Sequence, residues 1–152
     1  MIHWLIVNVV CPFFGTIAFA VMFNVPNRFY TSCGVIGTLG WLVYCVTVNP
    51  TSPAVASFFG TLIVVLISRV LTVRMKCPIT MFMIPGIFPL IPGASVYYMA
   101  YDLVMSETDQ AGEIGFVALK IAFGIVLGIA SALSIPRDVF SMEYWRNRRQ
   151  KG

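Results

Sequence analysis

Charge is what this sequence has least of. Only 11% of its 152 residues are Asp, Glu, Lys or Arg, while 59% are hydrophobic. A soluble domain carries about a quarter charged residues. In water this chain would leave a very large apolar surface exposed, so a multi-spanning membrane protein is expected. Histidine is almost absent, with His3 the single copy, which leaves no support for a zinc site or a histidine-based triad. There is no histidine cluster, no pair of carboxylates within one span and no metal motif, so an intramembrane enzyme is disfavoured. The four cysteines (Cys11, Cys33, Cys45 and Cys77) lie within or beside apolar stretches without ligand spacing and read as small reduced apolar residues. Gly34, Gly37 and Gly40 resemble a dinucleotide fingerprint only in spacing; with no strand before them, close helix packing explains them better. No cofactor is expected. The basic residues outnumber the acidic ones, ten to six, but they are not gathered into a face, and nucleic acid is not an expected partner.

What the sequence does have is long apolar stretches, each near the roughly 20 residues that cross a bilayer. The first runs from Ile2 to Phe23 and stops at Asn24-Val25-Pro26-Asn27-Arg28; lacking a basic start and a small-residue cleavage site, it reads as a retained span. The second runs from Thr31 to Val48 and stops at Asn49-Pro50-Thr51-Ser52-Pro53, and the third from Ala54 to Val73, ending at Arg74-Met75-Lys76. The fourth, Pro78 to Met105, is 28 residues, too long for one untilted helix. An acidic loop with Glu107, Asp109 and Glu113 leads to the fifth, Ile114 to Ile135, which Pro136 helps to close.

Lysine and arginine set the orientation. With five spans, Arg28, Arg74, Lys76 and the tail residues Arg137, Arg146, Arg148, Arg149 and Lys151 share one side, eight against none opposite. The N-terminus is therefore expected outside and the C-terminus in the cytoplasm. Aromatic residues agree, with Trp4, Trp41, Tyr44, Tyr97 and Tyr101 near the outer edge and Phe29, Tyr30, Tyr144 and Trp145 near the inner. The expected fold is an all-α integral membrane protein: five transmembrane helices in residues 1–136, the fourth broken, and a basic cytoplasmic tail in 137–152. A related five-span unit placed before it would have the opposite orientation, and inverted repeats are a common carrier architecture. No internal repeat is visible, and five helices are few to enclose a pathway, so a half-transporter that needs a partner is expected.

The break is Met83-Ile84-Pro85-Gly86-Ile87-Phe88-Pro89-Leu90-Ile91-Pro92-Gly93-Ala94-Ser95. Each proline removes a backbone donor and clashes with the carbonyl four residues back. Irregular backbone at membrane depth is tolerated only when packed on protein or lining a wet cavity, and discontinuous helices point to transport sites. A half-helix starting near Gly93-Ala94-Ser95 would turn its positive end toward a carboxylate. Candidate pathway residues are Pro85, Gly86, Phe88, Pro89, Pro92, Gly93, Ala94, Ser95, Tyr98, Asp102 and Lys120; the plainer reading of the prolines is a kinked, packed helix. Ser95, Tyr98 and Asp102 share one stripe by their spacing, and Asp102 reads either as a proton path or as a headgroup-level carboxylate. Lys120 shares a face with Gly124, Gly128 and Ala132, a close-packing signature that would point it inward; its stem could equally snorkel to the outer interface. Arg69, near the inner end of the third span, is explained by snorkelling. Ser57, Thr61 and Ser68 give that span a mildly polar face that could be packing glue.

The Phe23-Asn24-Val25-Pro26 turn and the Ile87-Phe88-Pro89-Leu90-Ile91-Pro92-Gly93 break resemble the threonine/serine exporter family, and the five-span layout with a basic tail resembles its small bacterial subunit. The likeness covers roughly Phe19 to Pro136. It implies a multi-pass protein of the bacterial inner membrane that pairs with a larger five-span subunit to export threonine, serine or a dicarboxylate such as succinate; no substrate residues come with it. The expectation is the small subunit of a two-component secondary exporter of small carboxylate-bearing metabolites. The alternative is a non-transporting membrane scaffold that stabilises a partner.

Overall fold

The structure, a computed structural model, describes residues 6–135. The expectations for Trp4, Pro136 and the basic tail lie outside the described residues. A π-helical turn, Ile6–Val10, runs directly into α1 (Cys11–Met22), with Pro12 just past the junction. Asn24 then takes the left-handed conformation (φ 54°) that asparagine tolerates, and a 3-10 turn at Asn27–Phe29 opens α2 (Tyr30–Val48). Ser52 caps α3 (Pro53–Met75), its Oγ accepting from Val55 N at 3.4 Å, and Pro53 starts the helix. After Lys76 (φ 51°) come α4 (Thr80–Ile87), a 3-10 turn at Phe88–Leu90 and α5 (Gly93–Val104); Ser106 (φ 64°) turns the chain into α6 (Thr108–Ser134).

Three stretches are long and apolar enough to cross a membrane: Asn27–Val48, Pro53–Met75 and Thr108–Ser134. The broken pair Thr80–Leu90 and Gly93–Val104, bent by 52°, makes a fourth if counted as one span. Ile6–Met22 is a shorter apolar helix; at 1.5 Å per residue it reaches about 25 Å, under the ~30 Å hydrocarbon core. Of the five expected spans, the described residues therefore supply three or four. The acidic loop is corrected as well. Asp109 and Glu113 lie inside α6, whose first turns welcome carboxylates at the positive end of the helix dipole.

The helices approach closely because glycines line their contacts. A Cβ on Gly60 of α3 would lie 2.9 Å from the Gly40 carbonyl of α2, and one on Gly34 would meet Phe13 of α1 at 2.7 Å. On α6, a Cβ at Gly124 would strike the Ala54 carbonyl oxygen, and one at Gly128 would lie 2.8 Å from that of Phe58. The α3 helix is thus central, packed by α2, α4 and α6. Two of its four hydroxyls bond within the helix: Ser57 Oγ donates to Pro53 O at 2.8 Å and Ser68 Oγ to Val64 O at 2.7 Å. Thr16 and Thr38 do the same in α1 and α2, which keeps polar groups bonded where water is scarce.

Candidate functional site

The break follows from its prolines one by one. Ile91 precedes Pro92 and is pushed out of the helical region (φ −67°, ψ 132°), so the 3-10 turn cannot continue. Gly93 N donates back to Ile91 O at 2.8 Å, Val96 N bonds Pro92 O at 3.0 Å, and α5 begins. Leu90 fixes the depth. Its side chain lies 3.2 Å from where a Cβ on Gly60 would be, so the break is level with Gly60, about 10 Å along α3 from its start.

The two sides of the break differ. On the α4 side, Pro85 and Gly86 are buried, and a Cβ on Gly86 would be 2.9 Å from Val64 and 3.1 Å from Ile36. Phe88 stacks on Phe19 at 4.1 Å and lies 5.3 Å from Phe23, and it is half-buried with Pro89. On the far side, Pro92, Ser95 and Asp102 are partly exposed, while Gly93, Ala94 and Tyr98 are exposed. No residue of α5 is buried, and its packing partner is α6. Nothing lies within 4 Å of a Cβ placed on Gly93. Gly93→Ala is accordingly expected to leave the melting temperature of the purified protein unchanged or slightly raised.

Lys120 keeps the face it shares with Gly124 but does not point into the bundle. Gly124, Gly128 and Ala132 are buried against the bundle, but Lys120 is exposed, its Nζ 4.3 Å from the centre of the Phe116 ring. Because Gly124 sits on Ala54 in the first turn of α3, Lys120, one turn earlier, is level with the turn that precedes α3. The physical reason is register: α6 is set along α3 so that its first half runs past the start of that helix. Asp102 lies further out. Met99 Sδ is 2.6 Å from a Cβ position on Gly115, nine residues before Gly124, or about 13 Å along the helix. Ser95, Tyr98, Asp102 and Lys120 therefore mark the α5–α6 hairpin and are not gathered into an enclosed pocket.

Arg69 is the residue that the sequence undervalued. It is 7% exposed, and its Nη1 donates to Ala132 O at 2.6 Å and Ile135 O at 2.5 Å. These carbonyls belong to the last turns of α6 and the residue after it, where helices run out of internal donors and carry negative partial charge. Arg69 also borders a cavity of about 270 Å³ with Thr72, Val73, Cys77, Pro78, Ile79 and Leu133. Thr72 Oγ1 is buried there without a hydrogen-bond partner among the described residues, as is Thr61 Oγ1 deeper in α3. In the turn after α3, burial pushes the Cys77 thiol above its usual range, and the nearby charge of Arg28 pulls it partly back. The one sequence signal for this cluster was an arginine inside an apolar span, and its partners lie more than 60 residues away.

A bundle of apolar helices, one of them broken by prolines in the body of the bundle, defines a multi-spanning membrane protein of the broken-helix kind that transporters use. The chain belongs to the threonine/serine exporter family, whose model matches residues 8–135. It is also similar to an uncharacterized protein of Haemophilus influenzae, 26% identical over 129 residues that span 82% of this chain and 43% of that protein. The chain thus matches less than half the length of that relative. No solved structure matches it.

Proposed function

We propose that this chain is the small subunit of a two-component secondary exporter of small carboxylate-bearing metabolites (threonine, serine or a dicarboxylate such as succinate) in the bacterial cytoplasmic membrane. In this reading it crosses the bilayer five times, with the N-terminus outside and the basic tail inside. It works with a larger five-span subunit. One observation carries the reading: the break is anchored firmly on its α4 side and open on its α5 side, where no residue is buried. A pathway needs walls on both sides, and the second wall would come from the partner. The family supports export as the activity, and the greater length of the Haemophilus relative leaves room for a second half in one chain. The start of α5 would receive the carboxylate, since the first N–H groups of a helix have no intrahelical acceptors. Asp102 would couple flux to protons from the outer end.

The test is efflux of threonine, serine and succinate from cells expressing this chain alone, this chain with its partner, and the pair with Pro89→Ala and Pro92→Ala. Efflux is expected only from the unaltered pair, with a loss of at least about tenfold when the break is straightened. Full efflux from the altered pair would move the site to the partner. No efflux from any combination would favour the scaffold.

A further inference from the structure

We infer that the groove between the start of α3 and the middle of α6 seats one ethanolamine phospholipid. An acyl chain lies along the groove, the phosphate on Lys120 and the amine toward Glu113. The groove, about 330 Å³, is walled by Val55 and Phe58 of α3 and by Phe123 and Leu127 of α6, with Lys120 at one end. Gly124, seated on Ala54, lies between the walls. Apart from the Lys120 ammonium the lining is apolar, which suits a hydrocarbon tail and not a polar metabolite. From Lys120 to Leu127 the groove follows α6 for about 10 Å, against ~15 Å for the hydrocarbon of one leaflet. It is also separate from the α5 side. Met99 of α5 packs on Gly115, and Gly115 and Lys120 lie about 140° apart around α6 at ~100° per residue.

Depth and charge select the headgroup. Lys120 is level with the turn that precedes α3, at the edge of a helix long enough to cross the membrane, so its ammonium sits where lipid phosphates lie. Long side chains on a helix lean toward its N-terminus, and Nζ reaches back to the Phe116 ring, 4.3 Å from its centre. Glu113 shares the stripe of Phe116 and Lys120 (i, i+3, i+7), is exposed and lies one turn beyond Phe116. That step is about 4.5 Å along the axis, which the two-carbon bridge between a phosphate and an amine can span. Lys120 is the sole described cation at this end of the bundle. Arg69, Arg74 and Lys76 lie toward the far end of α3 or just after it, and Arg28 is near Cys77 in the turn that follows. Asp102, Glu107, Asp109 and Glu113 gather at the near end. A headgroup of net negative charge would find one cation among these carboxylates, whereas a phosphate joined to an amine meets a charge of each sign. A primary amine also donates hydrogen bonds that a quaternary ammonium cannot. The inference rests on the chain crossing a membrane and is independent of export and of which end faces outside.

The experiment titrates the full chain, delipidated in detergent, with phosphatidylethanolamine, phosphatidylglycerol and phosphatidylcholine of identical acyl chains, and reads the adducts by native mass spectrometry. Wild type is expected to bind one phosphatidylethanolamine about fivefold more tightly than either other lipid, the scale of one exposed hydrogen bond. Lys120→Gln is expected to weaken all three about tenfold, because all carry the phosphate. Glu113→Ala is expected to leave phosphatidylcholine binding unchanged and to erase the preference for phosphatidylethanolamine over it. Val55→Trp, which fills the groove, should reduce binding of every lipid. Lys120 and Glu113 are exposed, so unchanged melting temperatures for their variants separate lost lipid from lost fold. Equal binding of the three lipids by wild type would overturn the assignment, and so would a phosphatidylethanolamine preference that survives Glu113→Ala. Dimers in place of lipid adducts, abolished by Val55→Trp, would give the groove to a second copy of the chain and overturn it as well.

Discussion

Gly124→Ala is expected to destabilise the folded chain by about 3 kcal/mol, the upper end of what one added methyl does to a tight contact. The same change at Gly15 is expected to do nothing harmful. The difference lies entirely in what the new methyl would meet. At Gly124 it would strike the Ala54 carbonyl oxygen, backbone against backbone, and no side-chain rotation can relieve that overlap. At Gly15 nothing lies within 4 Å, and alanine's better helix propensity gives a gain of about 0.5–1 kcal/mol. Gly128 shares the seam: its methyl would lie 2.8 Å from Phe58 O and 3.1 Å from Thr61 Cβ. Once Gly124→Ala has parted α6 from α3, Gly128→Ala should add less than it does alone, because neighbouring changes that relieve one another are not additive. Thermal melts of the detergent-solubilised variants read all of this. Equal melts for Gly15→Ala and Gly124→Ala would show that these glycines do not seat α6.

The seam was legible in the sequence because Gly124, Gly128 and Ala132 repeat at the helical period, and a repeat of small residues is local information. The break was legible for a similar reason: Pro85, Pro89 and Pro92 act on their own backbone and on the residue before them. What was not legible depends on register between helices. Lys120 was read either as pointing inward or as snorkelling from a span that starts at Ile114, yet α6 begins at Thr108. Its position along α3 is set by the contact of Gly124 with Ala54. No pattern within α6 alone encodes that slide. The acidic residues misled in a related way, since Asp109 and Glu113 read as loop by polarity but are favourable in the first turns of a helix. The openness of α5 was equally hidden, because an amphipathic stripe of Ser95, Tyr98 and Asp102 looks the same whether its own chain or another covers it.

Arg69→Met is expected to lower stability by about 3 kcal/mol and to loosen the end of α6 before anything else unfolds. Methionine matches the length of the stem and can refill most of the packing, so the loss would come from the head group. Removing it strips Ala132 O and Ile135 O of their donor in a buried setting, where each abandoned acceptor costs about 1–3 kcal/mol. The effect should be local at first. Hydrogen exchange is expected to rise in the last turns of α6 and to stay unchanged near Gly124, where the glycine seam still holds. Arg69→Lys separates charge from geometry. An ammonium keeps the favourable interaction with the helix C-terminus, but the lysine stem ends one atom short of Nη1, the single nitrogen that now donates to both carbonyls. It should recover about half of the lost stability. Full recovery with lysine would mean that charge alone secures α6 to α3, and no change with methionine would mean that the last turn is held by its apolar contacts. If the reach of Nη1 is what matters, the order of melting temperatures is arginine, lysine, methionine, and protection from exchange at Ala132 and Ile135 follows the same order.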